Sequence, residues 1–242
     1  MRTAPTMSQT TRHPTRKFLL GHDDFDFRVT SPPPSPHWPI QGWPAVAKRL
    51  IDLCIASLAL MLLAMPILLI ALLIRADTAG PILFRQCRVG FANSDFRMWK
   101  FRTMHHTRTQ AGPLRQASRH DPRVTRTGAF LRRWSLDELP QLFNVLRGEM
   151  SLVGPRPHAH GTCAGGKPFE QITPHYPARH RVLPGITGLA QVRGWRGETD
   201  TEEKLLRRVE ADLEYIDNWS LRLDLQILGR TLVRVIAERN AY

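Results

Sequence analysis

The sequence predicts a membrane-associated α+β fold, mostly helical, with one β-hairpin and one membrane helix that is either re-entrant or spanning. Three observations predict it. A run of 22 residues, Leu53 to Ile74, contains no charge. Two segments alternate apolar and basic residues, PILFRQCRV (81–89) and DFRMWKFRTM (95–104), with GFANS between them. Apolar residues recur at helical spacing in RTGAFLRRWS, in LFNVLRG and in the closing segments of the chain.

Length and charge bound what this fold can serve. At 242 residues the chain accommodates one catalytic-sized domain with extra segments. Its 34 Lys and Arg against 21 acidic residues give +13, which points to an anionic partner: nucleic acid, a phospholipid surface or a phosphorylated substrate. Charge does not choose among them. Cys54, Cys87 and Cys163 stand far apart and form no CxxC pair, so neither a disulfide framework nor a zinc site is supported, and a reducing compartment fits.

In chain order, residues 1–43 are rich in Thr, Pro, Arg and Ser, with SPPPSP at 31–36, and lack any apolar periodicity that would bury a core. A disordered, mildly basic tail is the expectation. The uncharged run that follows would reach about 33 Å at the helical rise, long enough for a bilayer. It is not read as a signal peptide, since about fifty residues precede it and no small-residue cleavage site follows. A membrane helix over 44–76 is expected. Lys48 and Arg49 lie before the run, and Arg75, Arg85 and Arg88 after it, so both flanks carry the charge of a cytoplasmic side. Pro66 removes a backbone donor inside the run and predicts a bend there. An entry and return on one side and a kinked spanning helix both satisfy this pattern.

The hairpin comes next. The helical pattern from RTGAFLRRWS to LFNVLRG is interrupted near Ser135, and RVLPGITGLAQVRGWRGE reads as a Gly- and Pro-punctuated loop region. Leu205, Leu206, Val209, Leu213 and Ile216 make one apolar helix face. The last helix carries Arg222, Arg230, Arg234 and Arg239 around an apolar stripe, suited to packing on the domain or to lying on a membrane surface.

Chemistry concentrates in SLDELPQLFNVLRGEMSLVGPRP, Ser135 to Pro157. Ser135 followed three residues later by Glu138 matches a capping box, which accounts for Glu138 and leaves Asp137 unexplained. A carboxylate in a first helical turn stays ionised in the positive field of the terminus, and the same field draws phosphate. Adjacent helical positions point about 100° apart, so the two carboxylates would divide roles rather than share a proton. Local physics admits both a cap and a nucleophile. Lys100 and Arg102 in KFRTM, and Arg156 between two prolines, are either exposed charges or phosphate ligands; the prolines restrain Arg156. Gly185, Gly188, Gln191 and Arg193 lie in PGITGLAQVRG, where the glycines read as turn formers. His105 and His106, and His158 with His160, lack a third ligand at metal spacing and read as surface or loop residues.

DPRVTRTGAFLRRWSLDELPQLFNVLRGEMSLVGPRP, together with KFRTM and PGITGLAQVRGWRGET, resembles the bacterial sugar transferase family, the monotopic polyprenyl-phosphate phosphoglycosyl transferases. The similarity runs from roughly Val46 to the C-terminus. The ending, GWRGETDTEEKLLRRVEADLEYIDNWSLRLDLQIL, looks most like the undecaprenyl-phosphate glucose phosphotransferases of exopolysaccharide synthesis. The resemblance implies that Asp137 attacks the β-phosphate of a UDP-sugar, expels UMP and forms an aspartyl sugar-phosphate. Undecaprenyl phosphate then takes up the sugar phosphate. It further implies that Glu138 supports Mg²⁺, that Lys100, Arg102, Arg156, Gln191 and Arg193 bind substrate, and that Pro66 bends the membrane helix. A catalytic domain over 77–242 would then face the cytoplasm from the bacterial inner membrane. Its partners would be UDP-sugar, undecaprenyl phosphate and phospholipid, with no nucleic acid and homo-oligomerisation left open.

Two departures from that pattern stand out. Met65 precedes Pro66 where relatives usually place a serine, and a thioether cannot donate to the carbonyl that proline frees. HGTCAGGKPFEQITPH is Gly- and Pro-interrupted where relatives tend to be helical. Two competing functions frame the reading: a membrane-anchored scaffold for anionic surfaces, which has no need of the carboxylate pair, and a soluble nucleic-acid binder, which the uncharged run opposes.

Overall fold

The computed structural model describes residues 40–105 and 121–237, so the tail expected over 1–43 lies outside the described residues up to position 39. Two helices open the described chain, α1 (Gly42–Leu62) and α2 (Ala64–Asp77), bent by 61° across Leu63. Pro66 stands in the first turn of α2, where a missing N–H is tolerated but the backbone cannot bond back to Leu62. The break therefore falls just ahead of the proline. Among the described residues no single helix is long and apolar enough to cross a membrane; the bent pair passes that test only together.

Both ends of the pair are tied to one protein body. Lys48 Nζ donates to Asp224 Oδ2 at 2.7 Å and to the Val153 carbonyl at 3.2 Å. Four residues on, Asp52 accepts from Ser151 Oγ at 2.7 Å and from the Leu152 amide at 3.1 Å. Arg49 donates to the Val145 and Leu146 carbonyls at 2.6 and 3.0 Å, where a cation complements a helix C-terminus. At the far end Asp77 Oδ2 accepts the Thr127 amide at 3.2 Å. Between these anchors most exposed side chains are apolar, among them Leu58, Met61, Leu62, Met65, Leu69 and Leu72, with Ser57 and Arg75 the polar exceptions.

The expected hairpin forms as β1 (Leu83–Val89) and β2 (Asp95–Phe101), antiparallel, with Leu83 opposite Phe101 and Val89 opposite Asp95. Its turn is a 3₁₀ piece in which Ala92 and Asn93 take φ of 53° and 59°. Next comes α3 (Arg126–Arg133), capped by Thr125 Oγ1, which accepts from the Gly128 amide at 2.9 Å. A Cβ on Gly128 would sit 2.1 Å from the Thr103 carbonyl oxygen, so glycine is what lets α3 lie against the end of β2.

After α4 (Gln141–Arg147), β3 (Ser151–Val153) pairs in parallel with β6 (Gly185–Thr187). The loop reading of PGITGLAQV is thereby corrected: it contains β6 and a short helix, and Gly185 serves a close backbone approach, since a Cβ there would lie 2.1 Å from the Gly154 nitrogen. A two-strand ladder whose partner is remote in sequence leaves no local signature. Between β3 and β6 run a small hairpin, β4 (Cys163–Ala164) with β5 (Lys167–Pro168), helix α5 (Phe169–Ile172) and a 3₁₀ turn, Tyr176–Arg181. After β6, α6 (Leu189–Val192), α7 (Glu202–Asp217) and α8 (Leu221–Ala237) complete the fold. In α7, Leu205, Val209, Leu213 and Ile216 are buried as expected, but Leu206 is exposed and leaves the predicted face.

The main core gathers side chains from α1, β2, α4, β3, α7 and α8. A second cluster matters more for the site. Ile70 and Ile74 of α2 pack with Phe101 and Leu131, and Leu136 and Leu139 close against them. The hydrophobic residues flanking Asp137 and Glu138 thus fasten that turn to the foot of the bent pair.

Candidate active site

Ser135 takes the left-handed conformation, φ 55°, which stops α3 and starts a single 3₁₀ turn, Leu136–Glu138. The predicted capping box does not form. Ser135 makes no side-chain cap; its hydroxyl accepts from Arg196, and the Glu138 carboxylate turns to cations instead of back to the Ser135 amide. A 3₁₀ turn advances about 120° per residue, so the two acids diverge more than on an α-helix.

That divergence gives them different surroundings. Lys100 Nζ donates to Glu138 Oε1 at 2.7 Å, and Arg156 forks onto both oxygens, with Nη1 to Oε2 at 3.2 Å and Nη2 to Oε1. The same Lys100 nitrogen is 3.9 Å from Asp137 Oδ2. Burial pushes the Glu138 carboxyl up, but Arg156 and Lys100 outweigh it and hold the group far below the usual carboxylate range. Asp137 is 7% exposed, and burial raises its carboxyl above the ordinary value against the pull of Lys100, with the Glu138 charge adding to the rise. One acid is thus a committed counter-ion. The other is buried with less charge compensation, which is the condition of a reactive carboxylate.

Lys100, Arg156 and the two acids are the predicted site residues that the fold brings together. Arg102 goes elsewhere. It is 5% exposed and donates to the Thr78 and Ile74 carbonyls at 2.7 and 3.4 Å and to the Ala79 carbonyl, closing the C-terminal end of α2. Arg193 forks onto Glu214 at 2.5 and 2.6 Å, and Gln191 Nε2 donates to the Ile186 carbonyl at 3.1 Å while its Oε1 is buried without a partner. His158, read as a surface or loop residue, is buried between Tyr176 and Arg179.

Sequence reasoning missed three basic residues here. Arg132 Nε donates to Thr103 Oγ1 at 3.0 Å and feels Asp137; Arg196 meets Ser135; Arg88 lies close enough to Arg156 and Glu138 to feel both. Burial, with Arg156 beside it, lowers the Arg88 guanidinium to about 10. Arg88 sits at an ordinary strand position, so only tertiary placement marks it. Around two carboxylates the fold therefore collects Lys100, Arg156, Arg88 and Arg132, an excess of positive charge suited to a phosphorylated ligand.

No group of three metal-ligating side chains exists among the described residues, so these residues form no cation cage by themselves. Mg²⁺, however, is commonly bound by one or two carboxylates and completed by substrate phosphates. Asp137 and the remaining lone pair on Glu138 Oε2 fit that mode.

Comparison with known proteins shows the family. A sequence model of the family described as "Bacterial sugar transferase" matches residues 43–238. The chain is 53% identical over 204 residues to an undecaprenyl-phosphate glucose phosphotransferase of Komagataeibacter xylinus, covering 84% of this chain and 38% of the relative. It is 46% identical over 204 residues to a UDP-glucose:undecaprenyl-phosphate glucose-1-phosphate transferase of Escherichia coli (strain K12), covering 84% of this chain and 43% of that protein. A transferase of the same name from Caulobacter vibrioides is 49% identical over 195 residues, 81% of this chain and 72% of its own length. The chain thus spans about two fifths of the first two relatives.

Proposed function

The chain belongs to the bacterial sugar transferase family and is a transferase, and from that premise we propose that it moves a hexose-1-phosphate, glucose-1-phosphate first among candidates, from a UDP-sugar to undecaprenyl phosphate. The observation that carries this is the unequal pair: Glu138 held ionised by Lys100 and Arg156, Asp137 buried beside it with the nearest cation at 3.9 Å. Glucose is favoured because the three relatives described above, at 46, 49 and 53% identity, are named for it.

In this reading an Asp137 carboxylate oxygen bonds to the β-phosphorus while the bond from that phosphorus to the bridging oxygen breaks, and UMP leaves with the electron pair. An oxygen of the lipid phosphate then bonds to the same phosphorus and expels the Asp137 carboxylate, giving a polyprenyl diphosphate sugar. Lys100 and Arg156 hold Glu138 and face the migrating group, whose charge they offset. Mg²⁺, held by Asp137 and Glu138 with the diphosphate, would supply further charge neutralisation.

The bent pair suits a lipid acceptor. α2 has 14 residues, about 21 Å at the helical rise, against a hydrocarbon core of about 30 Å. With both ends bonded to the same body, a re-entrant insertion from the cytoplasmic face of the inner membrane is the arrangement we favour. It places the Asp137 turn, packed on α2 through Leu136 and Leu139, next to the headgroup layer.

Detergent-solubilised protein, Mg²⁺, undecaprenyl phosphate and a panel of UDP-sugars test the proposal by UMP release. UDP-glucose is expected to give the highest rate, and labelled UDP-glucose without lipid to leave a sugar-phosphate adduct on the peptide containing Asp137. An adduct on another residue overturns the nucleophile. No UMP from any donor favours the scaffold reading.

A further inference from the structure

The loop that carries Arg156 is held at every carbonyl from Pro155 to His158. Pro155 O accepts from the Gly185 amide at 2.9 Å, Arg156 O from Arg179 Nη2 at 2.8 Å, Pro157 O from Arg88 Nη1 at 3.4 Å and His158 O from the Val89 amide at 3.0 Å. Those donors come from β1, the 3₁₀ turn at Tyr176–Arg181 and β6. Loops ordinarily leave many carbonyls to solvent. This one does not.

Arg179 is the donor that links the loop to a buried charge. It is 2% exposed; Nε donates to Asp212 Oδ2 at 2.7 Å and Nη1 to His158 Nδ1 at 2.8 Å, while Nη2 takes the Arg156 carbonyl. Tyr176 supports the arrangement with its ring 5.1 Å below the guanidinium and its hydroxyl 3.1 Å from His158 Nδ1. Because arginine only donates, His158 Nδ1 is an acceptor and the neutral ring carries its proton on Nε2. Burial, then Arg179 and three further arginines, keep that ring neutral.

A fully buried ion pair contributes little more stability than a well-packed apolar pair of the same size, because desolvation offsets its attraction. What an apolar pair cannot supply is direction. Three nitrogens of Arg179 reach α7, the His158 ring and the backbone of Arg156, and the prolines on either side limit the remaining freedom of that residue. We infer that Arg179, oriented by Asp212, is a positioning residue for the transfer reaction, fixing the backbone of Arg156 and so the guanidinium that meets the migrating phosphoryl group. The effect on rate rests on the phosphoryl-transfer reading above; the clamp itself does not.

Two variants test it. Arg179→Lys keeps a cation for Asp212 but lacks the fork needed to hold His158 and the Arg156 carbonyl together. Arg179→Met with Asp212→Leu replaces the pair by apolar side chains, a change that buried pairs often tolerate. The folded variants are expected to exchange amide deuterium faster in the peptide spanning residues 153–159. They should also release UMP about ten- to a hundredfold more slowly, the scale of a misplacement of roughly 1 Å. In an Arg156→Ala background the same changes should cost less than about twofold, because the residue they position is gone. Losses that multiply independently of Arg156, or unchanged deuterium uptake, overturn the inference. So does unfolding of both variants, since the pair would then hold up the domain rather than the loop. If the wild type releases no UMP from any UDP-sugar, the transfer reading fails, and deuterium uptake still decides the clamp.

Discussion

Lys100 reaches Glu138 at 2.7 Å and stops 3.9 Å short of Asp137, so one ammonium separates two adjacent carboxylates into a closely paired counter-ion and a buried acid with weaker charge compensation. The division depends on β2 delivering Lys100 to one side of a 3₁₀ turn whose apolar residues are fixed against α2.

Removing Lys100 should therefore be felt on Asp137 as well as on Glu138. Lys100 lowers the Asp137 carboxyl against burial, so Lys100→Met lets it rise further. A nucleophile that must be ionised then needs a higher pH. The acid limb of the pH–rate profile for adduct formation is expected to move upward in Lys100→Met and to stay near wild type in Lys100→Arg. An unmoved limb in Lys100→Met would assign the limb to some other group.

The two acids should also differ in sign when stability is followed against pH. The Asp137 carboxyl is raised in the fold, so ionising it costs stability, and the cost grows as pH climbs from its unfolded value through its folded one. Asp137→Asn is expected to melt at or above the wild-type temperature at pH 7, with the difference shrinking toward pH 4. UMP release falls by about a thousandfold or more, as for loss of a covalent nucleophile. Glu138 is lowered, so its contribution is present above the unfolded value and lost as pH falls through the folded one. Glu138→Gln should melt lower than wild type at pH 7. Melting curves at pH 7 and pH 4 decide the sign for Asp137, and a series carried below pH 4 decides it for Glu138.

Much of this arrangement was legible in the chain and some was not. The hairpin, the interruption near Ser135 and the bend near Pro66 follow from local rules, alternation, turn residues and a missing N–H, so they could be read. The capping box failed because its spacing is also satisfied by a 3₁₀ turn whose glutamate has stronger partners at hand in Lys100 and Arg156. Arg102 and Arg156 look alike in sequence, each a lone arginine in a short motif. Only the fold sends one to the end of α2 and the other to Glu138. Lys48 and Asp52, a turn apart at the head of the apolar run, were an unused signal that this part of α1 docks on protein rather than lipid.

That separation of the arginines gives a third expectation. Arg156→Lys keeps the charge and loses the fork, so UMP release should drop about tenfold or more, roughly 1.4 kcal/mol, with little change in melting temperature. Arg102→Met removes hydrogen bonds from a charged donor to the Ile74 carbonyl of α2 and to the Thr78 and Ala79 carbonyls just beyond it, and should destabilise by about 1.5–3 kcal/mol per effective bond, while the KM for UDP-sugar stays near wild type in the folded fraction. A raised KM in Arg102→Met with unchanged melting would return Arg102 to the substrate site.

The same end of α2 bears on topology. Gln41 precedes α1, and Thr78 follows α2 with its carbonyl accepting from Arg102. A helix that crossed the bilayer would separate these two positions by the full membrane. A re-entrant pair would keep them together, in accord with the bonds that tie both ends to one body. Single cysteines at 41 and 78, in a background where the exposed Cys54, Cys87 and Cys163 are serine, are expected to resist an impermeant thiol reagent in intact cells. After permeabilisation both should react. Labelling of one site alone from outside would establish a spanning helix. Pro66→Ala restores the N–H that lets the backbone bond to the Leu62 carbonyl and should straighten the break at Leu63. If the bend holds the pair in its re-entrant form, the variant will expose one of the two cysteines to the outside reagent. An unchanged pattern would mean that the anchors at Lys48, Asp52 and Arg102 hold the geometry without the proline.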